Sequence, residues 1–434
     1  MALSIDVLSS YPPVQEAEVD KVLAEEIRDN EKKIVVLDDD PTGVQTVHDI
    51  SVYTNWEKAS IEQGFAEENK LFYILTNSRG FTAAQTEKAH KEIAEVVDQV
   101  AKETGKEYLF ISRSDSTLRG HYPLETTILK DEYEKNTGKK IDGEVLCPFF
   151  KEGGRFTIDD VHYVQYDDTL VPAAETEFAK DKTFGYTVSN LKEYVEEKTQ
   201  GAYKKENVTA ISLENIRELN YDKIEEQLLA VEDFNKVIVN AIDYVDVKIF
   251  CVALFRAMKK GKNFMFRTAA AIVKVMGGVS NQPLLTREQM VVKETDNGGI
   301  IVVGSHTDKT TRQMEKLREN KDIAFVELNA TLVNNEAAFA EEVERCLALE
   351  EEYISGKSVC VYTTRVLITA DTGDKEDDLR LSVRISDAVQ SLVGRLTVTP
   401  SFVIAKGGIT SSDVGTKALA VTRANVLGQI RPGI

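Results

Sequence analysis

At 434 residues the chain exceeds one ordinary core and divides most naturally into two or three domains of about 150 residues each. Its 53 basic side chains against 72 acidic ones leave a net charge of −19, which excludes sequence-independent attraction to nucleic acid or to an anionic membrane surface. With 42% hydrophobic and 29% charged residues the composition is that of an ordinary soluble globular protein, and its apolar runs are strand-sized, far short of the ~20 residues of a membrane span.

The opening, MALSIDVLSSYPPVQ, has neither the basic region nor the long apolar stretch of a secretory signal, and residues 1–30 read as an acidic, helical N-terminal extension. Cys147, Cys251, Cys346 and Cys360 are scattered without a CxxC pair, and the five histidines show no HxxxH spacing. Neither a disulfide framework nor a structural zinc site is expected, and a reducing cytoplasm fits best.

From residue 33 onward, short β-rich runs alternate with helix-compatible segments. KIVVL, LFYIL, EYLFIS, GEVLC, VTAISL and KVIVNAI come first, then GIIVVGS, IAFVEL, KSVCVY and SFVIAKG. Between them, residues 83–104, 214–231, 309–319, 336–350 and 379–396 place apolar side chains at helical spacing. Near-continuous apolar strands bracketed by helices predict parallel sheets covered on both faces: two three-layer α/β/α domains. The stretch KVMGGVSNQPLL precedes a new βα series at Gly299, so the expected domains are 31–280 and 281–434.

In open α/β sheets ligands bind beyond the carboxyl ends of the strands. KIVVL ends in Asp38, Asp39 and Asp40 followed by Pro-Thr-Gly; carboxylates there can orient a hydroxyl, accept its proton or hold magnesium. LFYIL ends in Thr76, Asn77, Ser78 and Arg79, and EYLFIS leads into Arg113, Ser114, Asp115, Ser116 and Arg119 before a helix expected after Pro123. Guanidinium forks beside hydroxyls suit a carboxylate with vicinal hydroxyls. In the second domain a strand runs into Gly304, Ser305 and His306, and another into Gly407, Gly408, Thr410, Ser411 and Ser412; each then opens a helix, the geometry that offers backbone N–H groups to a phosphate. SGKS at 355–358 is no P-loop, because the upstream glycine position holds Glu351, and no GxGxxG occurs.

Two families fit these residues. Asp38, Asp40 and Thr42 satisfy DxDxT, which resembles the first motif of haloacid dehalogenase-like phosphatases, with Asp38 as nucleophile, Asp40 as acid/base, Thr76 as a second motif and GDKEDD (373–378) as a weak acidic third. The larger resemblance, from Lys33 to the last residue, is to the four-carbon acid sugar kinase family: LDDDPTG, TNSRG, SRSDSTLRG, VVGSH and AKGGITSSDV are similar to its motifs in the same order. That resemblance implies an N-terminal acid-sugar domain, a C-terminal nucleotide domain and an active site in the cleft between them. It implies ATP-dependent phosphorylation of threonate, erythronate or an oxo relative, with ATP and Mg2+ as cofactors.

Carried over residue by residue, Asp39 and Asp40 meet the substrate hydroxyls and supply the base, and Arg79 meets the carboxylate. Ser114, Asp115, Ser116, Arg119 and Arg267 bind the remaining polar atoms, and Ser305, Gly407, Gly408, Ile409 and Thr410 contact ATP. A small-molecule sugar acid is the expected partner, with no nucleic acid, no membrane and room for a homodimer. Family members usually continue for some tens of residues past the point corresponding to GQIRPGI, with another glycine-rich loop near the nucleotide.

Overall fold

The computed structural model describes residues 1–291, 295–305, 307–366, 368–369 and 375–434, with the backbone alone at Asp308, 375–379 and Ile409. The chain forms two compact units, Met1–Leu285 with Arg423–Ile434, and Thr286–Thr422.

In the first unit β1 (Leu3–Ser4) precedes β2 (Lys33–Asp38), β3 (Ile50–Tyr53), β4 (Leu71–Leu75), β5 (Tyr108–Arg113) and β6 (Gly143–Cys147). There follow β7 (Arg155–Ile158), β8 (Val161–Tyr166), β9 (Thr169–Pro172), β10 (Thr209–Ile211), β11 (Asn235–Val239) and β12 (Phe264–Thr268). The second unit contains β13 (Ile300–Val303), β14 (Ile323–Leu328), β15 (Ser358–Thr363) and β16 (Val403–Lys406), and β17 (Arg423–Val426) belongs to the first unit again.

The first unit is built on a sheet in the order β10-β11-β6-β12-β5-β2-β4-β3-β17, parallel throughout except where β17 closes the β3 edge antiparallel. Its strands read as apolar runs because both faces are covered: Ile34 and Val36 point into one core, Val35 and Leu37 into the other. On the second face lies the helix Ala83–Thr104, started by a Thr82–Gln85 capping box and stopped by Gly105 in the left-handed conformation. A small antiparallel sheet, β1-β9-β8-β7, sits beside it. In the N-terminal segment the helix Glu16–Asp29 buries Val19 and Leu23, and β1 pairs with β9.

The second unit is a parallel sheet in the order β14-β15-β13-β16. Ile300 and Val302 face helices Glu336–Ile354 and Lys375–Gly394, whereas Ile301 and Val303 face Met314 and Leu317 of helix Asp308–Leu317. Both units are therefore three-layered and mainly parallel, as the sequence predicts.

Two readings of the sequence differ from the structure. Segment 214–231, read as one helix, is two, Leu213–Arg217 and Tyr221–Leu229, parted at Leu219 where φ is +56°. Residues 423–434, grouped by sequence with the second domain, pack on the first: β17 zips onto β3, and Gln45 Nε2 donates to the Gly433 carbonyl at 2.8 Å. The attachment is a ladder between residues some 370 positions apart, which no local pattern announces. The four cysteines are free and buried, and among the described residues no helix is long and apolar enough to cross a membrane.

Candidate functional site

The sheet order makes β12, β5, β2 and β4 consecutive neighbours, with Asp38 opposite Leu75 on one side and Arg113 on the other, and Thr268 opposite Arg113. All four strands are parallel, so their carboxyl ends lie together. Side chains from Asp38–Asp40, Ser78–Arg79, Arg113–Arg119 and Arg267 converge there, although the first and last of them lie more than two hundred residues apart in the sequence.

The three aspartates have three environments. Asp38, the last residue of β2, is fully buried; Arg113 Nε donates to its Oδ1 at 2.5 Å and its Oδ2 has no partner. Burial pushes its carboxyl up to about 7, with Arg113 pulling the other way. Asp39 is also buried and saturated with donors: Arg79 grips both oxygens, Nε at 3.1 Å and Nη2 at 2.6 Å, and the Ser114 hydroxyl donates at 2.7 Å. Burial pushes this carboxyl up, but Arg79 and Arg113 outweigh it and hold it below the usual range. Asp40 retains 17% of its side-chain surface; it accepts from Arg79 Nη1 at 3.1 Å and from the Thr42 hydroxyl.

Arg113 is the hub beneath them. Besides Asp38 it holds the Asp40 carbonyl through Nη2 at 3.0 Å and the Ser114 carbonyl through Nη1 at 3.2 Å, so one guanidinium sets two loops. Gly43 is required for this packing, because a Cβ there would overlap Arg113 Nε and both Asp38 oxygens. Gly120 has a similar role at φ +122°; an added Cβ would come within 2.7 Å of Ser114 Oγ, 3.2 Å of Arg267 Nη2 and 3.3 Å of Asp39 Oδ2. Arg267 Nη2 donates to the Arg119 carbonyl at 2.8 Å, and its Nε has no partner. Asp115 is held by Arg119 Nε at 2.7 Å and by the Thr117 hydroxyl. Burial raises its carboxyl, yet Arg79 and Arg119 prevail and hold it far below the usual range.

The structure thus brings together Asp39, Asp40, Arg79, Ser114, Asp115, Arg119 and Arg267. Ser116 sits in the same loop, with its carbonyl 2.8 Å from His162 Nε2. Sequence reasoning missed what pins this loop: Tyr186 donates to the Thr117 carbonyl and Tyr194 to the Leu118 carbonyl, both at 2.8 Å, with Leu118 at φ +70°. Arg113, read only as one residue of a strand tip, is the other omission. Asp38, the nucleophile of the phosphatase reading, is enclosed and paired with Arg113; of that reading's third motif, Lys375–Asp378 open a helix and 373–374 lie outside the described residues.

In the second unit, Gly304 and Ser305 follow β13, Thr363 ends β15, and Gly407 and Gly408 follow β16, all at the carboxyl edge of one sheet. Gly407 has φ +113°, and a Cβ on Gly304 would overlap Thr410 Oγ1. Thr363 Oγ1 donates to the Gly304 carbonyl at 3.2 Å. Ser305, Gly407, Gly408 and Thr410 line a cavity of about 360 Å³ together with Val366, Ile368, Ile385 and Val389 and the hydroxyl residues Thr363, Thr364, Ser382 and Ser386. The lining thus combines glycines and hydroxyls with aliphatic side chains, the mixture common in small-molecule sites. Ile409 belongs to the helix Gly408–Asp413, its side chain lying outside the described residues, as does His306. A larger cavity of about 760 Å³ beside the helix Glu16–Asp29 is lined by none of the expected site residues. Among the described residues no group of three or more Asp, Glu, His or Cys side chains could hold a metal ion.

No curated protein matches the chain. Two solved structures share its fold over most of their length. One is a Haemophilus influenzae protein of the DUF1537 family, 18% identical over 92% of each chain with a TM-score of 0.57. The other is named "putative tRNA synthase" from Salmonella typhimurium LT2, 16% identical over 92% of this chain and 91% of its own, with a TM-score of 0.61. Residues 34–276 match the family model of a sugar-binding N-terminal domain, and residues 300–434 that of a nucleotide-binding C-terminal domain. With this pair of domains in this order, the chain belongs to the four-carbon acid sugar kinase family.

Proposed function

We propose that the protein is an ATP-dependent kinase that phosphorylates the terminal hydroxyl of a four-carbon sugar acid of the threonate, erythronate or oxo-tetronate type. The observation that carries the reading is the meeting of Asp39, Asp40, Arg79, Ser114, Asp115, Arg119 and Arg267 at four adjacent strand ends of a sugar-binding domain, in a chain that also has a nucleotide-binding domain.

Phosphoryl transfer asks a protein mainly to align the acceptor hydroxyl and to compensate the charge of the transferring group. Asp39 is spent on Arg79 and Ser114, so we assign the acceptor hydroxyl to Asp40, the aspartate of the run that keeps exposed surface and carries one guanidinium contact. Arg79 is assigned to the carboxylate of the acid, with Arg267 as the second guanidinium, and Ser114, Asp115, Ser116 and Arg119 to its hydroxyls and oxo group. Ser305, Gly407, Gly408, Ile409 and Thr410 are assigned to the nucleotide. Magnesium accompanying the nucleotide would supply charge compensation for its phosphates. Four free, buried cysteines support a reducing cytoplasm as the place of action.

The test is an ATP-coupled assay over a panel of four-carbon acids, with wild type, Asp40→Asn and Arg79→Ala. Asp40→Asn should lower kcat by roughly 10²–10⁴, the usual worth of a general base, and Arg79→Ala should raise KM for the acid. ATP-independent release of phosphate from sugar phosphates would replace the kinase reading by the phosphatase one. Binding of an acid with no turnover of any panel member would replace it by a metabolite-binding regulator.

A further inference from the structure

Two cations converge on Ser305 in the second unit, and the charge of a third, Lys309, is felt by one of them. Lys406, the last residue of β16, donates from Nζ to Thr310 Oγ1 at 2.9 Å; the Thr310 hydroxyl donates to Ser305 Oγ at 3.3 Å and accepts from Thr307 at 3.1 Å. Arg365, just beyond β15, donates from Nη1 to the Ser305 carbonyl at 2.6 Å and from Nη2 to Thr311 Oγ1 at 3.0 Å. Every one of these acceptors is neutral. Burial depresses the Lys406 ammonium, and Lys309 and Arg365 depress it further by like-charge repulsion. Among the described residues no carboxylate forms an ion pair with Lys309, Arg365 or Lys406; Glu327, the acid that Arg365 feels, accepts a hydrogen bond from the Tyr362 hydroxyl instead.

In a chain with 72 acidic side chains against 53 basic ones, neighbouring cations that repel one another and whose partners among the described residues are hydroxyls and carbonyls suit an anion. Its position narrows the choice of anion. Ser305 belongs both to this hydroxyl chain and to the lining of the 360 Å³ cavity, which also includes Val366, Ile368, Ile385 and Val389. Arg365 holds the carbonyl of that same Ser305, and Lys406 holds Thr310, which bonds the Ser305 hydroxyl, so one cation touches the cavity's polar lining directly and the other through one intervening residue.

We propose that Lys406 and Arg365, backed by Lys309, form the subsite for the outer phosphates of a nucleoside triphosphate and so set its preference over the monophosphate. The proposal rests on the nucleotide reading given above. Isothermal titration of the full chain with ATP, AMP and inorganic tripolyphosphate at fixed salt tests it. Lys406→Gln keeps a donor for Thr310 but removes the charge; losing a charge-assisted contact should weaken ATP and tripolyphosphate by about 10- to 100-fold and AMP by less than about threefold. Lys406→Arg should stay within about threefold of wild type for all three ligands, since the charge is kept. Arg365→Gln should repeat the ATP-selective loss and carries the test if Lys406→Gln does not fold. Equal weakening of ATP and AMP in both charge-removing variants, or unchanged ATP and tripolyphosphate binding in them, overturns the subsite while leaving the nucleotide reading in place. A wild-type protein that binds neither ATP nor AMP overturns both.

Discussion

Glu350 offers a direct test of the second unit's electrostatics. It lies on the buried face of helix Glu336–Ile354, in line with Phe339, Val343, Cys346 and Ile354, where the spacing calls for an apolar residue. Its side chain is 0% exposed, and neither carboxylate oxygen has a partner. Burial, helped by Glu351, pushes its pKa from 4.5 to about 8. At neutral pH the folded chain therefore keeps this proton while the unfolded chain releases it. The stability associated with the proton is fully present below pH 4.5 and is lost as pH rises to about 8, beyond which the loss is complete. At ~1.4 kcal/mol per pH step the whole interval is worth roughly 5 kcal/mol, an upper bound because an ionised carboxylate can move toward water. Glu350→Gln removes the titration at nearly constant volume. Urea melts of the full chain at pH 5, 6.5 and 8, followed by far-UV circular dichroism, should show wild type losing several kcal/mol across the series in the second unit's transition, and the variant losing little of it. Trp56, the one tryptophan of the chain, lies in the first unit and serves as an internal control. Wild-type and variant transitions with the same pH slope would refute the reasoning.

Two glycine substitutions probe the two sites separately. Gly43→Ala drives a methyl group into the Arg113–Asp38 pair; parting a buried pair costs about 3–5 kcal/mol, so Trp56 fluorescence should report a first unit destabilised on that scale, with kcat reduced because the Asp40 carbonyl loses its anchor. Gly304→Ala displaces the Thr410 hydroxyl and should raise KM for ATP about tenfold, some 1.4 kcal/mol, with KM for the acid unchanged; a change confined to the acid would contradict the assignment of this turn to the nucleotide.

The α/β architecture was legible because doubly covered parallel strands must be apolar along their whole length, and runs such as KIVVL and LFYIL are too short for helices and too uniformly apolar for a sheet with one wet face. Helix 83–104 was legible to the residue, since a capping box and a C-terminal glycine mark its ends. The antiparallel sheet β7–β9 was not. Its strands are four to six residues long, and they turn on Asp159, Asp160 and Asp167 at positive φ, so aspartates that read as loop polarity act as turn residues. β3 and β12 are equally short, and β17 exists only through its distant partner. At the site the residue types were readable and their pairings were not. Arg79 reads as a guanidinium facing a ligand alone, whereas it also bridges Asp39 and Asp40, because β4 lies beside β2 in a sheet order that the sequence does not spell out.

The run of three aspartates shows how a parallel sheet turns one local sequence into separate tasks. Successive side chains at a strand end point in different directions, so residues adjacent in sequence meet different neighbours. Asp38 turns inward to Arg113, and that arginine, having taken its countercharge, carries the Asp40 and Ser114 carbonyls on its remaining N–H groups. Asp39 turns toward β4 and β5 and is neutralised by Arg79 and Ser114. Only Asp40 retains exposed surface, in a position set by the other two. Three carboxylates within a few ångströms would repel one another strongly in a dry strand end; the arrangement is tolerable because two guanidinium groups, Arg79 and Arg113, are interleaved with them. The charge that looks costly in the sequence is largely consumed in building the loop, and what is left over is the single carboxylate of the run that keeps part of its surface exposed.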